Sequence, residues 1–155
     1  MDLLVWRHAQ AHDARPGQAD LDRALTARGQ VQAEVVGAWL NQHLPRDARI
    51  LVSPAVRTRA TAAALNRAWD VVPALAPDQP VEGVLAASGW PEGLPGSGAT
   101  LIVGHQPTLG QVVGRVLGMA EGCSVRKGAL WWLRRRERDG RAETVLMTVL
   151  NPDWM

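Results

Sequence analysis

The sequence predicts an α/β domain with three layers, a mostly parallel central sheet and an antiparallel edge. Three observations carry this. Short apolar runs alternate with segments of helical periodicity along most of the chain. The last third changes to two alternating apolar segments around Asp139-Gly140, a strong hairpin signal. At 155 residues, 46% apolar and 21% charged, the chain suits a single domain over 1–155 with a sizeable core.

Leu3–Trp6 reads as a short buried strand and His12–Asp20, rich in Asp, Pro and Gly, as a surface loop. Thr26 is placed to cap a helix whose apolar positions Val31, Val35, Ala38 and Trp39 have helical spacing. Ile50–Val52 is the second strand, and alanine-rich Arg57–Trp69 the second helix. Val71-Val72 can form a third, short strand. A stretch rich in proline, glycine and small residues follows from Pro73 to Ser97, with a weak helix over Val81–Ala87. Thr100–Val103 is β-branched and apolar. Thr108–Leu117 carries Leu109, Val112, Val113, Val116 and Leu117 on one stripe, read as core packing. Leu130–Arg136 and Thr144–Leu150 then pair antiparallel. Strand and helix alternation capped by a hairpin gives the mixed sheet.

Composition narrows the function classes. The formal charge is +2 and the arginines are scattered, a mild pointer to acidic partners rather than a nucleic-acid footprint. The single Cys123 forms no internal disulfide, suits a reducing compartment and reads as a neutral thiol. The N-terminal apolar run is too short for a signal peptide or a membrane span, so a cytoplasmic protein without membrane partners is expected. There are seven Trp and no Phe or Tyr. Trp is read as having taken their packing roles, with Trp131 and Trp132 on opposite faces of one strand.

Chemistry-bearing residues gather just past strand ends. Arg7-His8-Ala9-Gln10 follows the first strand, Ser53-Pro54-Ala55-Val56-Arg57 the second, and Gly104-His105-Gln106-Pro107 a later one. In a parallel sheet, ligands collect at the carboxyl ends of the strands. Two arginines and two histidines would then meet at one edge. Guanidinium groups suit the oxygens of a phosphoryl group, and an unprotonated imidazole can attack phosphorus; nearby arginines favour that neutral form. No metal and no cofactor is needed for this chemistry. Ser53 is placed to cap the following helix with Pro54 in its first turn, Gly104 to let backbone approach a ligand, and Pro107 to begin a helix.

Arg-His-Ala, Ser-Pro-x-x-Arg-x-x-x-Thr and Gly-His-x-Pro, in this order and at these strand ends, resemble the histidine phosphatase superfamily, also called phosphoglycerate mutase-like. Short length and Leu25-Thr26-Ala27-Arg28-Gly29 resemble its small bacterial branch, the SixA-type phosphohistidine phosphatases. The resemblance implies His8 as the transiently phosphorylated nucleophile, Arg7 and Arg57 as phosphoryl ligands, and His105 as a hydrogen-bonding stabiliser of the transition state. It implies a partner such as a histidine-phosphotransfer domain, or a small phosphorylated metabolite as the alternative. Ala9 stands where glycine is common and Gln106 where asparagine is frequent. Gln10–Ala14 lacks the substrate contacts of the larger mutases.

Family members acting on esters use a carboxyl group as general acid. Asp78, Glu82 and Glu92 are the candidates in the middle region, each reading more simply as a surface charge. Phosphohistidine relaxes the need, because a protonated phosphoimidazole leaves as neutral imidazole. His12 reads as a solvated loop residue and His43 as a helix C-terminal contact. A binding module for nucleic acid or another anionic surface, using Arg134-Arg135-Arg136-Glu137-Arg138 beside Trp131-Trp132, is the disfavoured competitor.

Overall fold

The computed structural model describes residues 1–155. Its strands are β1 (Asp2–Arg7), β2 (Arg49–Val52), β3 (Asp70–Val71), β4 (Ala99–Gly104), β5 (Leu130–Arg138) and β6 (Arg141–Leu150). The helices are α1 (Ala27–His43), α2 (Val56–Ala62), α3 (Val81–Ser88) and α4 (Thr108–Leu117), with a short 3-10 turn at Asp20–Asp22. The six strands form one sheet in the order β3-β2-β4-β1-β5-β6. β1, β2, β3 and β4 are parallel, and the β5–β6 hairpin adds the antiparallel edge. The expected fold class is therefore found.

Alternation along the central strands divides the core into two layers. Leu3 and Val5 of β1 face a cluster with Val84 of α3 and Leu109, Val112, Val113 and Val116 of α4. Leu4 and Trp6 face another with Val36 and Leu40 of α1. Each fully buried large side chain contributes roughly 1.5–3 kcal/mol, so this double layer makes β1 and β4 the rigid spine that carries the site. Trp131 and Trp132 divide between the two clusters as expected. Trp6 is fully buried and its indole N–H donates to Gly128 O at 3.0 Å, which explains how a large ring with one polar atom does the work of a phenylalanine here.

Two helices differ from expectation. Thr26 does cap α1, its hydroxyl accepting from Gly29 N–H at 3.0 Å, but the buried face is Ala33, Val36, Gly37 and Leu40. Val31 is 57% exposed, and Ala38 is also exposed. Small residues choose this face. A Cβ at Gly29 would overlap the Gln10 carbonyl, and one at Gly37 would crowd Ala64. The helix can therefore approach the backbone only along its glycine side. The second correction is α2, which stops at Ala62 rather than reaching Trp69. The chain turns away because Asn41 Oδ1 takes the Asn66 N–H at 3.1 Å and Arg67 donates to the Leu44 and Pro45 carbonyls. These long-range bonds outweigh the helix propensity of alanine.

The short β3, α3 and the α4 stripe lie where expected, to within two residues. At the hairpin tip, Asp139 and Gly140 both have positive φ, 51° and 72°, as a two-residue type I′ turn requires. No helix is long and apolar enough to cross a membrane.

Candidate active site

Register brings the three motifs together. Arg7 pairs with Gly104 across β1 and β4, and Val52 pairs with Val103 across β2 and β4. The next residues, His8, Ser53 and His105, therefore leave the sheet side by side. Backbone bonds extend the ladder past its end, from His8 N–H to Gly104 O at 3.1 Å and from Ser53 N–H to Val103 O at 3.0 Å.

His8 is 5% exposed and His105 4%, with ring centroids 5.3 Å apart. His8 Nδ1 lies 2.7 Å from Ala9 O. A carbonyl only accepts, so Nδ1 carries the proton and Nε2 keeps its lone pair. Ala9 is itself clamped, its N–H donating to Thr61 Oγ1 at 3.0 Å while that hydroxyl donates to Arg57 O at 2.7 Å. The threonine of the second motif thus ties the loop after His8 to the helix bearing Arg57. Ala9 is fully buried.

Arg57 projects from the first turn of α2 and is 4% exposed. Its Nη1 donates to Asp20 O at 2.8 Å, and its Nη2 donates to Asp20 Oδ2 at 3.0 Å and lies 3.3 Å from His105 Nδ1. On the other side of His105, Nε2 lies 2.7 Å from Ser53 Oγ. Arg7 donates from Nη1 to Val125 O at 2.8 Å. The Nε donors of both Arg7 and Arg57 are buried without a partner in the protein. Such groups are costly unless something accepts from them, and an oxyanion does so.

Burial pushes both histidines well down. His8 is lowered to about 4, mainly by desolvation and further by the charges of Arg57, Arg7 and Arg23, against the opposing bond to Ala9. His105 is lowered to about 3 by burial first, then by His8 and Arg57. Both rings are therefore neutral near pH 7. An unfolded histidine titrates near 6.5, so between 6.5 and 4 the unfolded chain binds protons that the folded chain refuses. Stability is full above pH 6.5, falls as pH drops from 6.5 to 4, and levels off below 4, a loss of about 3 kcal/mol for His8. Melting temperatures measured from pH 7 to 4 should decline, less steeply in His8→Ala; equal slopes would mean that His8 is not held neutral.

Several expectations change. Ser53 does not cap α2, whose N-cap is Ala55. Pro54 precedes that cap, because Ser53 is held back by its contact with His105. Gly104 serves packing, since a Cβ there would press on the Leu109 side chain at 3.3 Å. Pro107 is the N-cap position of α4. Gln106 braces that helix, accepting from Gly110 N–H at 2.7 Å and donating to Cys123 O at 3.2 Å. Cys123 is half-buried, with its thiol raised by burial. His12 is exposed, and His43 contacts the Trp39 carbonyl at 2.8 Å near the end of α1.

None of the three carboxyl candidates contacts this group of residues. Glu82 pairs instead with Arg115 on the surface at 3.2 Å, and Asp78 and Glu92 are exposed. Sequence reasoning missed Asp20 and Arg23. Asp20 bonds Arg57, and its Oδ1 lies 3.1 Å from Arg23 Nε. Burial alone raises the Asp20 carboxyl, but the hydrogen bond and charge of Arg57, with Arg23, hold it below its ordinary value. The available signal was Asp20-x-x-Arg23 just before the Leu25-Thr26 cap, within what reads as an ordinary polar loop. Two of the four arginines in the Arg134–Arg138 run are paired within the protein. Arg134 grips Asp2 with two bonds of 2.7 Å, and Arg136 bonds Glu143 at 2.7 Å.

Residues 3–78 match the model of the histidine phosphatase superfamily (branch 1). The chain is 29% identical to a phosphohistidine phosphatase SixA homolog of Haemophilus influenzae, over 98% of this chain and 97% of that protein. A structure from Nakamurella multipartitia, described as a candidate phosphohistidine phosphatase SixA, superposes with a TM-score of 0.78 at 25% identity, covering 97% of this chain and 95% of that one. A protein histidine phosphatase SixA in complex with tungstate has the same fold, with a TM-score of 0.77 at 23% identity over 99% of this chain and 98% of that one. With its motifs converging at the carboxyl ends of the strands, as the parallel-sheet reading expects, the chain belongs to branch 1 of the histidine phosphatase superfamily and is a phosphatase of that family.

Proposed function

We propose that this phosphatase removes phosphate from phosphohistidine on a partner protein, through a covalent intermediate on His8. The observation that carries the choice of substrate is Asp20. It is the carboxylate in contact with Arg57, yet two arginines hold it ionised, which unfits it to protonate a leaving alkoxide. An ester without a general acid forfeits roughly 10²–10⁴ in rate. Phosphoimidazole needs no such donor, because it leaves neutral once its second nitrogen is protonated. The SixA relatives support the same substrate class.

In the first step Nε2 of His8 bonds to phosphorus as the substrate's N–P bond breaks, and the electron pair of that bond leaves with the substrate imidazole. The Nδ1–H bond to Ala9 O aims Nε2 and shares the positive charge that the ring acquires. Arg7 and Arg57 take the nonbridging oxygens, using the Nε donors that lack protein partners. Tungstate, bound by a related SixA, is a tetrahedral oxyanion of the kind such donors hold.

His105 has a tautomer relay in Ser53. The Ser53 hydroxyl oxygen accepts from Ala55 N–H at 3.3 Å, which leaves its hydrogen free to donate to His105 Nε2. Nδ1 then carries the ring proton and stands beside Arg57 Nη2, two donors 3.3 Å apart that one phosphoryl oxygen satisfies. In the second step a water oxygen bonds to phosphorus, the His8 N–P bond breaks with its electron pair returning to Nε2, and both water protons leave on the departing phosphate.

The test is a substrate panel. A phosphohistidine-bearing phosphotransfer domain should be turned over with kcat/KM roughly 10² or more above that of p-nitrophenyl phosphate and phosphoglycerate. Ordinary enzymatic rates on the esters, with the phosphohistidine protein untouched, would defeat the proposal.

A further inference from the structure

Beside the site, a polar cleft continues from Arg7 to Arg28, Arg126, Lys127 and Asp153, and no apolar side chain lines it. Four cations face the one carboxylate of Asp153 there. That local excess exceeds the +2 of the whole chain, so the positive character of this molecule is concentrated next to the phosphoryl-binding residues. Arg28 spends part of its charge on Asp153, 3.1 Å away. Arg126 and Lys127 are exposed and neither forms an ion pair.

These two cations are held at a fixed place relative to the chemistry. Their loop is stitched to the nucleophile strand on both sides, with Arg7 donating to Val125 O at 2.8 Å and Gly128 N–H donating to His8 O at 3.0 Å. Gly128 makes the turn with φ of +74°, and a Cβ there would press on Pro152 and Gln32. Gln32, 6% exposed, links the floor of the cleft to the loop after His8, accepting from Gln10 N–H and donating to Asp153 Oδ1, each at 3.0 Å. An extended chain advances roughly 3.3 Å per residue. Because Arg7 lines the same cleft as Arg126 and Lys127, residues a few positions from the phosphorylated side chain are within reach of both.

We propose that Arg28, Arg126 and Lys127, with Arg7 shared between the two regions, form a basic shelf that receives the acidic side chains flanking the phosphorylated histidine of a partner protein. This rests on the function proposed above and adds what the enzyme reads in its substrate. Carboxylates fit because the cleft offers cations and polar atoms and no apolar wall. Such complementarity acts mainly on encounter and on rejecting wrong partners, and salt weakens it.

The test uses two phosphohistidine peptides, one with aspartates and one with lysines on both sides of the modified residue, and phosphoramidate as a small N–P substrate. At low ionic strength wild type should favour the aspartate peptide about tenfold in kcat/KM, chiefly through KM, and added salt should shrink the preference. The double variant R126E/K127E should reverse the preference and leave phosphoramidate hydrolysis within about twofold, because neither residue touches the phosphoryl ligands. Turnover of both peptides with no preference, or an equal loss on peptides and phosphoramidate in the variant, would overturn the shelf while the proposed function stands. Phosphoramidate turnover without any peptide turnover would overturn both.

Discussion

Replacing His8 by alanine is expected to lower turnover of a phosphohistidine protein by roughly 10⁵-fold, the scale seen when a covalent nucleophile is removed. Acid-labile label on the enzyme should vanish with it. The expectation follows from geometry. His8 is the ring whose proton is committed to a backbone carbonyl at 2.7 Å, so its other nitrogen is a fixed lone pair. His105 has its Nε2 engaged with Ser53 Oγ and its Nδ1–H beside Arg57 Nη2, so neither nitrogen offers a free lone pair. It is not placed to substitute. Single-turnover mixing of the enzyme with labelled phosphohistidine protein, quenched in alkali to preserve N–P bonds, measures rate and label together. Retained turnover in the variant would exclude a covalent intermediate on His8.

Arg57→Ala should cost about 10³-fold in kcat/KM, near the upper end for loss of one preorganised oxyanion donor. Arg57 does three things from one buried position: it offers an unpartnered Nε, sits against His105 Nδ1 and holds Asp20. Its removal strands Asp20 near the phosphoryl position with only Arg23 to balance it, which adds repulsion to the lost attraction. Arg57→Lys should recover little, because an ammonium cannot reproduce the planar fork that reaches these partners at once. Inhibition by tungstate gives an independent readout and should weaken in parallel with kcat/KM. Near wild-type rates and inhibition in Arg57→Lys would show that charge alone suffices.

Much of this site was legible because strand ends announce themselves. Short apolar runs followed by Arg7-His8, by Ser53 to Arg57 and by Gly104-His105 need only a parallel sheet to converge, and the observed register sets His8, Ser53 and His105 side by side. The apolar stripe of α4 was equally plain, since its strongly periodic residues face one layer of core. α1 was misread because its buried face is selected by Gly29 and Gly37. Glycine carries no hydrophobic signal, and close backbone approach cannot be seen in a periodicity. α2 was overextended because Asn41, distant in sequence, and Arg67, which reaches back to the end of α1, terminate it through tertiary bonds.

The sequence by itself determined the fold class, the strand ends and the convergence of Arg7, His8, Arg57 and His105 at one end of the sheet, because these depend on local pattern and on the rule that parallel strands present their carboxyl ends together. Only the tertiary structure decided which nitrogen of His8 is free, what stands behind His105, and that Asp20 rather than Asp78, Glu82 or Glu92 is the carboxylate at the site. Those properties belong to contacts between residues tens of positions apart. A carboxylate on a polar loop looks the same in sequence whether it meets water or two arginines, and it is the meeting that fixes its charge and its chemistry.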